Sequence, residues 1–387
     1  MRKNRIRRLF ILLIFSLCTQ LNAKSSVIDS VSEKRAEEID RAFNEILDKH
    51  KINTAGIGII KNGELIWQNQ YGFQQTGVPA TSKTLFNVGS ITKTITAETI
   101  LRLASKGLLS LSEPMGEFWL DPDLEGSPYL DDLTARTAIT HTSGFMNWRF
   151  YSDDYKLKFI SEPGTKFGYS GEGFEYLAKY AAKKLKTPFD TLVNQTIFAP
   201  LGITNAAIKV EKANFPRIAK PLDHEGKFYG YYCHPQGYCN KENDISAAGN
   251  MVITVEDYAM FLISSMRGEG LTEKLKQERD TIQSVQVNQQ EIDCSKAPEA
   301  QCPTRLGYGL GWNIAQLNDD KLIGHRGSDW SVVSMAYYYQ NSKDGLIVFF
   351  NAPNKAGIAG MVDALKVLDP DSPEIHGYQL RLARTNE

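Results

Sequence analysis

The sequence lacks several features that would mark particular classes of protein. It contains no low-complexity tract, heptad run or fixed-period repeat, which excludes solenoids and coiled coils. Positive charge is not in excess, since 44 Lys and Arg residues face 45 Asp and Glu residues. Five of the positive charges lie in the first eight residues, and without them the chain carries a net charge of −6. We therefore expect no nucleic-acid partner, because that class needs cationic contacts to phosphate.

Long hydrophobic runs are also missing. The apolar segment 9–18 has about half the residues that a membrane-spanning helix needs. It follows a basic segment and precedes Leu21-Asn22-Ala23, which is the order of a secretory signal peptide. We expect residues 1–23 to be a signal peptide, with an uncleaved anchor as the alternative. The mature chain, 24–387, would then be periplasmic or secreted, with no stable membrane anchor.

Cysteine is scarce, with five residues in 387. Once the signal peptide is removed, four remain as two close pairs: Cys233 with Cys239, and Cys294 with Cys302. Two local disulfides are expected in an oxidising compartment. A zinc site is the alternative, but the C-x5-C and C-x7-C spacings differ from the usual knuckle spacing. The histidines show no metal-binding spacing either, so we expect no metal and no cofactor.

The hydrophobic pattern predicts strands at both ends of the chain and helices between them. An amphipathic helix is expected over 31–50, and Asn62-Gly63 marks a β-hairpin between 56–60 and 64–68. A mostly apolar helix is expected over 90–105. The C-terminal region predicts strands over 308–314, 321–325, 331–340 and 346–350, then a helix over 355–367. This order favours one α/β unit of the α+β type, in which distant segments share a sheet and a helical insertion packs beside it.

The only S-x-x-K sequence in the chain joins Ser90 to Lys93. On a helix these residues lie on one face, one turn apart. At a helix N-terminus the serine oxygen would lie beside free backbone N–H groups, which favour developing negative charge. The lysine amine could then accept the serine proton. An ordinary helix cap followed by a surface lysine has the same pattern, so the motif alone does not decide.

Two further segments give the motif its meaning. They are Tyr169-Ser170-Gly171 and, on a predicted strand, His325-Arg326-Gly327-Ser328. With them the chain resembles the penicillin-binding-protein-like serine hydrolases: class C β-lactamases, D-alanyl-D-alanine carboxypeptidases and related esterases. That family is marked by S-x-x-K, then Y-x-N, then K-T-G or H-x-G on a strand. Supporting segments that also resemble the family are 141–145, 200–204, 247–257 and 308–312.

The resemblance covers about residues 35–368 and implies a single β-lactamase/transpeptidase-like domain, with an antiparallel sheet, flanking helices and a helical subdomain. It implies that Ser90 is the nucleophile, Lys93 its partner base and Tyr169 a proton shuttle. His325 would line the opposite wall and donate to substrate or to Tyr169. The oxyanion hole would be formed by the backbone N–H groups of Ser90 and Ser328.

Other residues bear on substrate binding. Gly327 would let substrate approach the strand, and Arg326 would bind a substrate carboxylate unless strand alternation turns it away. Gly171 stands where the family has Asn, which removes a side-chain amide from the site. His141 lies in a turn and is expected to be structural. The aromatic segment 224–243 is either a rim of the site or a loop packed on the surface.

These observations predict an exported serine hydrolase that works through an acyl-enzyme on Ser90. Its substrate would be a small molecule or peptide: a D-amino-acid peptide such as a peptidoglycan fragment, a β-lactam or a small ester. The alternative is a catalytically weak relative that binds peptidoglycan or acts as a scaffold, which the glycine at position 171 favours. Loops set specificity, so the motifs do not choose among the substrates.

The export and disulfide predictions are tested together on protein recovered from outside the cytoplasm. Its intact mass should correspond to a chain that begins at Lys24, and thiol titration of denatured, unreduced protein should give a value near zero. Retention of Met1 would contradict cleavage after Ala23 and favour the uncleaved anchor. Four titratable thiols would contradict the disulfides.

Overall fold

A computed structural model describes residues 31–384 except 288–291, 293 and 296, so the predicted signal peptide lies outside the described residues. The α-helices are α1 Glu33–His50, α2 Thr92–Ser105, α3 Ala135–Ile139, α4 Gly171–Leu185, α5 Phe189–Val193, α6 Ala199–Leu201, α7 Val255–Arg267, α8 Glu273–Arg279, α9 Asn354–Leu368 and α10 Pro373–Arg384. The strands are β1 Thr54–Lys61, β2 Glu64–Gln75, β3 Val78–Pro79, β4 Phe86–Asn87, β5 Ala206–Ala207, β6 Val252–Ile253, β7 Ser284–Val287, β8 Arg305–Tyr308, β9 Asn313–Gln316, β10 Lys321–Asp329, β11 Val332–Tyr339 and β12 Gly345–Asn351. Across these residues, no helix combines the length and the apolar character needed to cross a membrane.

Within the described residues, nine strands form an antiparallel sheet in the order β3-β2-β1-β12-β11-β10-β9-β8-β7. The predicted hairpin is confirmed: Asn62 and Gly63 both have positive φ, as a tight β1–β2 turn requires. β1 then pairs with β12, so the two ends of the domain meet in the middle of the sheet. This confirms the prediction that distant segments share one sheet.

Helices cover both faces of the sheet. The predicted first helix is confirmed as α1, which buries Ile39, Phe43, Ile46 and Leu47 against the face that also carries α9 and α10. The opposite face packs against α7, and α2, α4 and α5 form the helical layer beyond it. The α+β architecture with a helical subdomain is therefore confirmed, and the middle of the chain supplies that layer.

Two details differ from the sequence predictions. Residues 309–312 are not part of a strand over 308–314 but form the turn that joins β8 to β9, because Gly311 adopts a positive φ and Gly309 N–H donates to the Trp312 carbonyl. The last helix, α10, was not predicted. It packs against α9 and buries Ile375 and Tyr378.

The cysteines are paired as the sequence predicts. Cys233 is bonded to Cys239 and Cys294 to Cys302. Each bond closes a short loop, six and eight residues apart in sequence, so both shape local segments and neither joins distant elements.

Candidate active site

Ser90 lies just before α2, in the 3₁₀ turn Gly89–Ile91 that runs directly into that helix. Two side chains hold the turn: Asn87 Oδ1 accepts from Gly89 N–H at 2.9 Å, and Thr92 Oγ1 donates to the Gly89 carbonyl at 2.6 Å. One turn later, Lys93 Nζ donates to Ser90 Oγ at 3.1 Å. The predicted proximity of Ser90 and Lys93 is therefore present, at the N-terminal end of the helix.

Lys93 is fully buried, which is unusual for lysine. Its Nζ donates a second hydrogen bond, at 2.6 Å, to the carbonyl of Ala248. Aromatic rings surround the amine, with centroids 4.9 Å (Tyr169), 5.7 Å (Phe174) and 6.0 Å (Trp148) from Nζ. The two hydrogen bonds and the three rings leave the amine one fixed position, directed at the Ser90 oxygen.

Tyr169 is brought to the same place by the segment that leads into α4. His141 packs beneath it with the two ring centroids 4.2 Å apart, and His141 Nδ1 accepts from the backbone N–H of Ser170 at 3.1 Å. Burial holds the pKa of His141 well below its usual range, so the ring is neutral. His141 is structural, as expected, but what it supports is the position of Tyr169.

His325 also borders the cleft in front of Ser90, but its partner differs from the predicted one. Its Nδ1 lies 2.6 Å from the Arg326 carbonyl and its Nε2 lies 2.8 Å from the Tyr308 hydroxyl. Burial, with the charge of Lys93, lowers the pKa of His325 to about 3. The ring is neutral, and because a carbonyl only accepts, Nδ1 carries the proton and Nε2 accepts from Tyr308. Of the two expected partners, substrate and Tyr169, the structure replaces Tyr169 with Tyr308.

β10 passes very close to the turn Gly89–Ile91 that carries Ser90. The backbone nitrogen of Ser328 lies 3.1 Å from the position that a Cβ on Gly89 would take. A Cβ on Gly327 would lie 2.1 Å from the Val88 carbonyl oxygen and 2.2 Å from Ser334 Oγ. Gly327 is therefore needed so that the chain before Ser90 can approach the strand, and its role in admitting substrate stays a prediction. The close approach brings the Ser328 N–H to the turn that carries Ser90.

Arg326 borders the cleft, but its guanidinium is bound elsewhere. Its Nε donates to Glu374 on α10, and the guanidinium lies over the Tyr378 ring, 5.0 Å from the centroid. Successive strand residues face opposite sides of a sheet, so Arg326 points to the α10 face and His325 to the other. Of the two alternatives for Arg326, the structure favours the one in which strand alternation turns the side chain away from substrate, here towards α10.

Gly171 does not border the cleft, because Trp148 covers it. A Cβ at position 171 would lie 2.4 Å from Trp148 Cη2 and Cζ2, far inside van der Waals contact. An asparagine side chain at 171 therefore cannot coexist with this ring. Trp148 lines the cleft in its place, and the neighbouring Asn147 accepts from Gly171 N–H through Oδ1 at 2.9 Å. The space that an asparagine side chain would need at position 171 is thus filled by the tryptophan ring.

The cleft has a volume of about 1420 Å³ and two aromatic walls. One wall is the loop with Trp148, Phe150 and Tyr151, in which the first two rings stack at 5.7 Å. The other wall is the segment 224–243, whose lining side chains include Tyr229, Tyr231, Tyr232 and Tyr238. Of the two readings of this segment, the structure supports the rim. The Cys233–Cys239 bond lies in the same wall.

Sequence reasoning missed Glu175, Trp148 and Tyr308. Glu175 follows Gly171 by one turn of α4 and lies on the same face, with its Oε1 accepting from the backbone N–H groups of Ala247 and Ala248. Burial raises the pKa of Glu175, while these hydrogen bonds and the charge of Lys93 act in the opposite direction. The available signal was a glutamate one turn after the Tyr169 motif. A glutamate at an exposed helix position gives the same sequence pattern, so the signal does not single out Glu175.

Comparisons with known proteins agree with this geometry. The family model described as Beta-lactamase matches residues 39–367. The chain belongs to this family. It is 28% identical over 201 residues to a β-lactamase of Pseudomonas fluorescens, covering 49% of this chain and 55% of that one. It is 23% identical over 352 residues to penicillin-binding protein 4* of Bacillus subtilis, covering 83% of this chain and 73% of that one.

A third relative is esterase EstB of Burkholderia gladioli, 32% identical over 225 residues, covering 50% of this chain and 55% of that one. The chain thus spans little more than half the length of two of these three relatives. Among solved structures, a class C β-lactamase mutant superposes with a TM-score of 0.68 at 19% identity, covering 87% and 97% of the two chains. An octameric penicillin-binding protein homologue of Pyrococcus abyssi superposes with a TM-score of 0.67 at 22% identity, covering 88% of this chain and 78% of that one. These likenesses establish the fold.

The pairing of Gly171 with Trp148 is tested by stability. Gly171→Asn should lower the free energy of unfolding by about 1–3 kcal/mol, because the new side chain overlaps the indole. In a Trp148→Ala background the same change should cost much less. The measurement is urea denaturation of the four proteins, with Gly168→Asn as the control, since the space at position 168 is open. Equal costs in both backgrounds would contradict the pairing.

Proposed function

We propose that this protein is an exported serine hydrolase that forms an acyl-enzyme on Ser90 and cleaves carboxylic esters in preference to amides. The observation that carries the proposal is the buried Lys93 amine, which donates to Ser90 Oγ at 3.1 Å with the Tyr169 ring beside it. The family in which the chain lies includes proteins named as β-lactamases, penicillin-binding proteins and an esterase.

The reaction would proceed in two steps. Ser90 Oγ attacks the substrate carbonyl carbon while its proton passes to Lys93 or Tyr169, and the N–H groups of Ser90 and Ser328 stabilise the oxyanion. The bond to the alcohol then breaks, and the alcohol leaves with that proton. Water attacks the acyl-enzyme through the same groups, which releases the acid and restores Ser90.

The preference for esters is inferred from Trp148. An amide substrate depends on precise orientation and on protonation of a poor leaving group, whereas an activated ester needs less of both. An apolar ring occupies the place from which an asparagine amide at position 171 would contact substrate. Loss of one such polar contact typically costs about 1–3 kcal/mol, or roughly 5- to 150-fold in rate.

Export is supported by the N-terminal pattern of residues 1–23 and by the two disulfides, which persist in oxidising compartments. The aromatic walls fit a substrate with an apolar group. Within the cleft, His325 is neutral and Arg326 is paired with Glu374, so neither offers an unpaired cation to a substrate carboxylate.

A turnover panel tests the proposal with short acyl p-nitrophenyl esters, nitrocefin and D-Ala-D-Ala peptides. We expect ester hydrolysis that disappears in Ser90→Ala, with turnover of nitrocefin slow or undetectable. Ser112→Ala is the control, because Ser112 lies on the surface, away from the cleft. Efficient nitrocefin turnover would reject the preference for esters. If the wild-type protein turned over none of these substrates, the result would instead favour a relative that binds peptidoglycan or acts as a scaffold.

A further inference from the structure

Glu175 is a charged side chain that the two chemical steps do not use, although it borders the cleft. Its Oε1 accepts three hydrogen bonds from one short segment: Ser246 Oγ at 3.1 Å, Ala247 N–H at 3.0 Å and Ala248 N–H at 3.1 Å. Hydrogen bonds to a charged acceptor are about twice as strong as neutral ones. A carboxylate that gathers three donors therefore fixes the shape of the segment 246–249.

The same segment carries the acceptor for Lys93. In the peptide group between Ala248 and Gly249, the carbonyl accepts a hydrogen bond from Lys93 Nζ at 2.6 Å. The N–H of the same peptide donates to Ser246 Oγ at 3.1 Å. The Ser246 hydroxyl in turn donates to Glu175. A continuous chain of hydrogen bonds therefore joins the Glu175 carboxylate to the Lys93 amine and, through it, to Ser90 Oγ.

Each link in such a chain strengthens the next. A carboxylate that accepts a hydrogen bond from the Ser246 hydroxyl makes the Ser246 oxygen a better acceptor for Gly249 N–H. The polarised peptide then presents a more negative Ala248 carbonyl to Lys93. The segment is also tied to the nucleophile helix, since Thr96 Oγ1 on α2 donates to the Ala247 carbonyl at 2.7 Å. The carbonyl that holds Lys93 is thus aligned from α4 on one side and from α2 on the other.

We propose that Glu175 is a positioning residue for the Ser90–Lys93 pair, acting through Ser246 and the Ala248–Gly249 peptide. The inference rests on the proposed acyl-enzyme function. Glu175 does not touch the reacting atoms; it aligns the carbonyl that directs the lysine amine at the nucleophile. Its effect should therefore fall on the chemical step and not on substrate binding.

A double-mutant cycle on ester hydrolysis tests this inference with Glu175→Gln, Ser246→Ala and the combined variant. Glu175→Gln keeps an acceptor oxygen but loses the charge, and Ser246→Ala removes only the middle link. Each single change should lower kcat by about 10- to 100-fold and leave KM within about twofold of the wild type. The combined variant should be no slower than the slower single variant, because both changes break one chain.

Glu45→Gln on α1, a surface change of the same chemistry, should leave kcat unchanged. Thermal melting shows which variants are folded, and Ser246→Ala carries the test if Glu175→Gln does not fold. A wild-type kcat in Ser246→Ala, or losses that multiply in the combined variant, would overturn the inference. An inactive wild-type protein would instead be a failure of the proposed function, so the two failures are distinguishable.

Discussion

The burial of one lysine is the constraint on which the site depends. A buried amine is tolerated only where polar partners replace the water it has lost, and Lys93 finds them in Ser90 Oγ and the Ala248 carbonyl. The first partner is local and the second requires the tertiary fold. Ser90 is held by the turn before α2, and Ala248 lies in a segment far along the chain. The fold therefore buries a lysine, a residue usually found on the surface, beside Ser90.

Two glycines near the site are required because their neighbours leave no room for a side chain. Gly327 lets the backbone of Val88 approach β10, which brings the Ser328 N–H to the turn that carries Ser90. Gly171 admits the Trp148 ring, which lines the cleft where a polar side chain would otherwise project. In one case a missing side chain allows close backbone contact. In the other case, the missing side chain leaves room for an aromatic ring in place of a polar group. The proposed preference for esters is inferred from that aromatic wall.

Much of the architecture could be predicted from the sequence. The period of the apolar residues located α1, and the Asn62-Gly63 pair located the first hairpin, because both signals are local. The turn at 309–312 was missed because tyrosine, leucine and tryptophan around two glycines resemble a strand until the φ of Gly311 is known. The last helix, α10, lies beyond the region that the resemblance covers.

Residues of the candidate site could be predicted from the sequence only where they belong to a recognisable motif. Ser90 and Lys93 lie together as their spacing implied, and the Tyr169 ring lies beside them as the family resemblance implied. The partners of His325 and Arg326 could not be inferred, because Tyr308 and Glu374 reach them from distant segments. The same is true of Glu175, whose importance depends on a loop more than 70 residues away in sequence. Contacts of this kind are properties of the fold and leave no local pattern.

The central claim is that Lys93 activates Ser90, and the rate at which a fluorophosphonate labels Ser90 measures this most directly. In Lys93→Met, a folded protein should be labelled at least about 100-fold more slowly than the wild type, as expected for loss of a general base. Lys106→Met, at the far end of α2 and exposed, is the matched control and should be labelled at the wild-type rate. Labelling of Lys93→Met at the wild-type rate would contradict the account.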